Sequence, residues 1–262
     1  MTARRTPIPL VVYYFFLIAL LYLPIAVLFL FSINSNVTLS FPLKGFSLGW
    51  YQQLAHNQPI LDSARNSVEV AVGSSFAATL LGAMVSILLM RYQFRWKGFL
   101  VALAVLPLIV PYIVLAVALL ILFSALGIER SLWTVGFAHT VVSLPYTVLI
   151  ISSRLAGFDA SVEEAAMDLG ASYLTTLWRI VIPMILPAAV SAWLTAFTVS
   201  FDEFALALFL AGTQPTFPVY LFSQLRFANR LPIMIALAVL MMIGTLLLVF
   251  IAERLRSREV WH

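Results

Sequence analysis

Cysteine is absent from this 262-residue chain. That excludes disulfides, thiolate zinc sites and thiol catalysis, and leaves the redox compartment unread. Charge is scarce as well: Asp, Glu, Lys and Arg make up 10% of the residues, where soluble domains carry about a quarter. The histidines, His56, His139 and His262, are too scattered for metal-ligand spacing, so no metal site is expected. No G-x4-G-K-[ST] phosphate loop occurs, so the chain has no ATP site of its own, and no H-E-x-x-H zinc motif occurs either. An intramembrane enzyme would need a His–Asp, paired-Asp or Ser–His arrangement within its spans, and that reading is not favoured.

What fills the chain is apolar: 63% of the residues are hydrophobic. A bilayer core needs about 20 such residues per helix. Segments 10–31, 66–90, 99–123, 133–153, 184–211 and 232–252 qualify. Backbone exposed to lipid must satisfy its own hydrogen bonds, so these are helices. The fold class is all-α: a polytopic membrane protein with six transmembrane helices in one domain spanning 1–262. Pro107 and Pro111, four apart, should bend the third span. Short helices are expected around Trp50–Leu54 and Tyr220–Leu225, with Trp50 and Tyr51 as interface anchors. The 20 Phe are mostly lipid contact and core.

The net charge of +4 reflects topology rather than nucleic-acid binding, because Lys and Arg flank spans on the cytoplasmic side. With both termini cytoplasmic, Arg4, Arg5, Arg91, Arg95, Lys97, Arg154, Arg179, Arg254, Arg256 and Arg258 lie inside. Lys44, Arg65, Arg130, Arg226 and Arg230 lie outside. The first apolar run ends in no small-residue cleavage site, so it reads as a span and not a signal peptide.

One polar island, residues 154–183, interrupts the apolar pattern on the cytoplasmic side. Ser161 and Glu164 have capping-box spacing, and Asp159, Glu163 and Glu164 put negative charge at a helix start. Val162, Ala166, Leu169, Tyr173 and Leu177 repeat at helical spacing and predict one apolar face. Ala166 and Gly170, one turn apart, would admit another backbone, and Gly170 permits a bend between two short helices. Pro183 should end the segment at the mouth of the next span. A helix lying on lipid would carry Lys and Arg on its polar face; this one carries Glu163, Glu164 and Asp168.

These residues resemble the permease subunits of ABC importers. That family's signature is E-A-A-x3-G-x9-I-x-L-P. Here it reads Glu164-Ala165-Ala166, Gly170, Ile180 and Pro183, with Ile182 in place of Leu. The resemblance implies the type I importer permease fold, with residues 154–183 forming a coupling helix that docks on a separate ATPase. It implies as partners two ATPase subunits, a second permease and an external substrate-binding protein, with lipid around them. ATP and Mg would be held by the partner ATPase and no cofactor by this chain, in a bacterial inner membrane. Residues 154–172 and Ser200-Phe201-Asp202-Glu203-Phe204 are also similar to the second permease of spermidine/putrescine systems, which implies a sister permease and a small organic cation as cargo. Aminophosphonates, opines or amino-acid conjugates, thiamine and ferric iron are the alternatives, with an ion-coupled secondary transporter behind them.

Three acids are candidates for the solute path. Asp202 and Glu203 sit within the fifth span, about 30 Å along the helix from Pro183, where charge is costly and faces a cavity or partner. Adjacent residues point about 100° apart on a helix, so one would face the path while the other pairs with Arg226 or Arg230. Glu69 sits at the outer start of the second span, where compensating the helix dipole is the simpler role. His139 reads as a packed, hydrogen-bonded histidine.

Overall fold

A computed structural model describes residues 8–259; Arg4, Arg5 and His262 lie outside them. The described secondary structure is helical apart from one isolated antiparallel bridge, Asn34 to Phe46. The helices are α1 (Ile8–Ser32), α2 (Gly49–Ala55), α3 (Gln58–Arg91), α4 (Lys97–Ile109), α5 (Tyr112–Ala125) and α6 (Leu132–Ala156). Two short helices follow, α7 (Ser161–Asp168) and α8 (Tyr173–Thr176), and a π-helical turn, Leu177–Val181, leads into α9 (Ile182–Asp202). The chain continues through α10 (Ala205–Leu210), α11 (Phe217–Gln224) and α12 (Leu231–Glu259). Among the described residues, five helical runs are long and apolar enough to cross a membrane, and α4 with α5 makes a sixth if they form one bent span.

That bend is 109°, as the paired prolines predict. Pro111 makes it: the residue before a proline is pushed out of the helical region, and Val110 is extended at ψ 127°. Pro107 is carried inside α4. Three boundaries differ from expectation. The second span starts at Gln58, well before residue 66, with Pro59 in its first turn, a position that tolerates a missing N–H. The helical run of the fifth span starts at Tyr173; Pro183 does not interrupt it, because it falls in the first turn of α9, where a missing N–H is tolerated, just after a π-helical turn closed by Ile182 N–H on Leu177 O. The same span is not continuous to 211: α9 stops at Asp202, Glu203 turns extended at ψ 123°, and α10 restarts at Ala205.

The described chain divides into two compact units, one made of the chain up to Leu61 with Leu221–Gly244, the other of Asp62–Tyr220 with the chain from Thr245 onward. In the first, the loop after α1 is stitched to itself by Ser35 N–H to Gly45 O (3.0 Å) and Ser47 N–H to Ile33 O (2.7 Å). Trp50 Nε1 donates to Asn34 O at 2.7 Å and Tyr51 Oη to Ser32 Oγ at 2.8 Å, so both polar tips turn inward. The α1 side chains stay exposed, Leu21 at 70%, which suits contact with lipid tails.

In the second unit α6 is the axis. Its Val135, Ala138 and Val142 pack with Val70 of α3, Leu119 and Phe123 of α5 and Leu206 of α10. Further along, Val148 packs with Leu89 and Ala104, then Ile151 and Leu155 with Val181 and Ile185. Hydroxyls join the helices where lipid offers no competing partner: Thr147 Oγ1 donates to Ala78 O at 2.9 Å and Ser86 Oγ to Val148 O at 3.1 Å. Gly82 makes this approach possible, since a Cβ there would stand 2.7 Å from Thr147 Cβ and 3.2 Å from its carbonyl carbon.

Candidate functional site

The loop between α6 and α9 is built by capping chemistry. α7 starts at Ser161 with Ala160, not Ser161, in the N-cap position. The expected capping box does not form. Asp159 takes over, accepting the Ser161 N–H on Oδ1 at 3.0 Å. Hydrogen bonds from the Ser161 backbone and then its hydroxyl hold the Asp159 carboxyl below the ordinary carboxylate range. At the other end Gly170 N–H bonds Met167 O (2.9 Å) and Ala171 N–H bonds Ala166 O (3.0 Å), the pattern of a Schellman motif. That motif needs a left-handed residue, and Gly170 has φ +90°. Ser172 then accepts the Thr175 N–H at 3.3 Å and opens α8. The expected bend at Gly170 is present, and it divides the face drawn from Val162 to Leu177 into two short pieces. None of the α7 residues is buried. Val162, Leu169 and Tyr173 are 47%, 89% and 46% exposed.

Of the candidate docking residues, Glu164, Ala165, Asp168, Gly170 and Pro183 are exposed, and Ala166 and Ile180 are half-buried. Glu163 is different. Its Oε1 accepts from Arg91 Nε at 2.7 Å, Arg91 Nη2 is also 2.7 Å away, and the two side chains are 14% and 13% exposed. Glu163 therefore faces the end of α3 rather than a docking surface. Beside it, the Tyr92 and Tyr173 rings meet edge to face at 6.5 Å.

The in-span acids separate. Asp202, the last residue of α9, is exposed. Glu203 is 6% exposed. Its Oε1 accepts the Ala205 N–H at 2.8 Å and its Oε2 the Leu206 N–H at 2.9 Å and the Ala207 N–H at 3.3 Å. The break after Asp202 leaves the first N–H groups of α10 without helical partners, and a carboxylate there satisfies both hydrogen bonds and dipole. His139 Nε2 lies 3.3 Å from Glu203 Oε2, though not aligned as a hydrogen bond. An arginine partner was expected and His139 is found instead, while Arg226 donates to Ser223 O and Arg230 to Gln224. His139 Nδ1 shares a 2.8 Å hydrogen bond with Ser200 Oγ, which shares another of 2.8 Å with Ser74 Oγ. The polar chain Glu203–His139–Ser200–Ser74 thus joins α10, α6, α9 and α3.

Ser74 also lines a cavity of about 620 Å³ between α3 and α6, with Glu69, Thr140, Trp133, Phe137 and Gln214 among its walls. Glu69 lies well inside α3 and pairs with Arg65 Nε at 2.7 Å, so it does not compensate the helix start as expected. Among the described residues no group of three or more His, Asp or Glu is placed to hold a metal. Gly45-Phe46-Ser47-Leu48-Gly49 has the spacing of a hydrolase nucleophile elbow but not its strand–turn–helix setting; Ser47 Oγ accepts the Gly49 N–H at 3.0 Å.

Sequence reasoning missed Arg91, Ser74 and Ser200. Their partners lie 72 and 126 positions away, and no local pattern signals such pairs. For the early start of α3 a signal was there, Pro59.

Residues 78–260 match the family of binding-protein-dependent transport system inner membrane components. The chain belongs to this family. It is 38% identical over 246 residues to the spermidine/putrescine transport system permease protein PotC of Haemophilus influenzae, covering 94% of this chain and 95% of that one. It is 35% identical to the putrescine transport system permease protein PotI of Escherichia coli strain K12, covering 91% and 87%. The crystal structure of a bacterial ABC transporter that imports the acidic polysaccharide alginate superposes with a TM-score of 0.74 at 18% identity, covering 94% and 95%; that likeness concerns the fold. The chain is a multi-pass inner-membrane permease of an ABC importer, not an enzyme. ATP hydrolysis belongs to a separate chain.

Proposed function

We propose that this permease forms half of the path for a small organic polycation of the putrescine or spermidine kind. The observation that carries this is the 38% identity over 94% of the chain to a spermidine/putrescine permease. Two ATPase subunits carrying ATP and Mg, a sister permease and an external binding protein complete the machine. The whole chain, 1–262, works as one permease domain with both termini cytoplasmic. The Arg91–Glu163 pair supports that topology, because it requires the end of α3 and the α7 loop to share a side.

Residues 161–183 dock on the ATPase, with Glu164, Ala165, Ala166, Asp168 and Gly170 presented to it and Ile180 and Pro183 carrying the motion into α9. Asp202 is the path carboxylate; it is exposed, and it attracts a cation through Coulomb forces that weaken as water enters. Glu203 holds the helix break. Glu69, beside the α3–α6 cavity, is already paired with Arg65 and plays at most a guiding part.

The test is substrate-stimulated ATP hydrolysis by the assembled transporter in proteoliposomes, with putrescine, spermidine, aminoethylphosphonate and thiamine, each on its binding protein. Stimulation by a polyamine, reduced in Asp202→Asn, is the expected result. Stimulation by a neutral or anionic solute alone would remove the polycation reading.

A further inference from the structure

The α7 loop has two routes to the transmembrane helices. One is the chain itself, through α8 and the π-helical turn into α9. The other is Glu163, whose carboxylate is held by Arg91 at the last residue of α3. α7 buries none of its own residues, so apolar packing does not fasten it. The ion pair does, at 2.7 Å and with both side chains mostly shielded from water. A shielded pair is poorly screened by salt, and loss of one partner strands the other charge.

Arg91 is also the end of a stiff rod. Ser74 lies seventeen residues earlier on the same helix, about 25 Å away at 1.5 Å per residue. Its hydroxyl meets Ser200 in the buried chain that reaches His139 and Glu203, and it lines the α3–α6 cavity. Between Ser74 and Arg91, α3 is joined to α6 by the Thr147–Ala78 and Ser86–Val148 hydrogen bonds and the close approach at Gly82. A continuous set of contacts therefore runs from Glu163 to the helix break after Asp202 and to the cavity wall.

We propose that Arg91 is a positioning residue for energy coupling: its ion pair with Glu163 is the link by which the ATPase-docking loop drives α3, and through α3 the buried Ser74–Ser200–His139–Glu203 chain. This rests on the reading of residues 161–170 as the docking element.

The experiment uses the full transporter, with its ATPase, sister permease and binding protein, in proteoliposomes. Uptake per ATP hydrolysed is measured with whichever solute of the four above stimulates wild-type hydrolysis. Arg91→Ala and Glu163→Ala are expected to keep hydrolysing ATP while uptake per ATP falls about tenfold, within the usual range of coupling ratios. The exchanged pair, Arg91→Glu with Glu163→Arg, is expected to recover to within about threefold. Where an alanine variant fails to assemble, Glu163→Gln keeps the shape without the charge and reads the same ratio. A ratio within about twofold of wild type in the single variants, or an exchanged pair no better than the singles, would overturn the link. Gly170→Val separates the two ideas. If it leaves uptake per ATP intact, the docking reading itself fails; if it uncouples while the Arg91 and Glu163 variants do not, only the α3 link fails.

Discussion

A carboxylate buried in a span is stable only if something nearby wants negative charge. Glu203 meets three backbone N–H groups at the start of α10 and the His139 ring. Asp202, its neighbour, is exposed. The two acids should therefore respond to different assays. Glu203→Ala leaves buried donors unpaired, a loss of about 1–3 kcal/mol, and should lower the unfolding temperature of the purified transporter. Asp202→Asn should leave that temperature unchanged and reduce polycation uptake. Equal thermal losses in both would return Asp202 to a packing role. Both residues stand out in the sequence as in-span acids. Their division of labour does not, because it depends on where the helix breaks.

Two glycines control how elements meet. At Gly82, where α3 crosses α6, an added side chain would collide with Thr147. Gly82→Val must push the helices apart and break the Thr147–Ala78 hydrogen bond, costing about 1–3 kcal/mol as other overpacked cores do, which thermal unfolding would report. Gly170 is the opposite case: nothing in this chain stands within 4 Å of an added Cβ, but φ is +90°. Gly170→Val should uncouple hydrolysis from uptake. Gly170→Asn discriminates the cause, since asparagine tolerates left-handed backbone. Recovery in the asparagine variant would assign the defect to backbone strain, and continued uncoupling would assign it to a partner surface pressed against Gly170. The glycine spacing is legible in the sequence. The Schellman turn that ends α7 at Asp168 is recognisable only once its hydrogen bonds are seen.

Across the whole molecule, exposed apolar surface is the rule and charge is concentrated at a few places. Composition alone determined that the chain is helical and crosses a membrane, because transfer of a helix into lipid is close to a sum over its own residues. Local rules determined the bend before Pro111, since a proline constrains the residue beside it. Motif spacing singled out residues 164–183, since the loop is held together by contacts between near neighbours. Tertiary structure decided the rest. It paired Arg91 with Glu163, Ser74 with Ser200 and His139 with Glu203, ended α9 at Asp202, and made α6 the axis of its unit. A charge or hydroxyl takes whichever partner is nearest in a medium that offers no water, and nearness across a hundred residues is a property of the packed helices, not of the residues read in order.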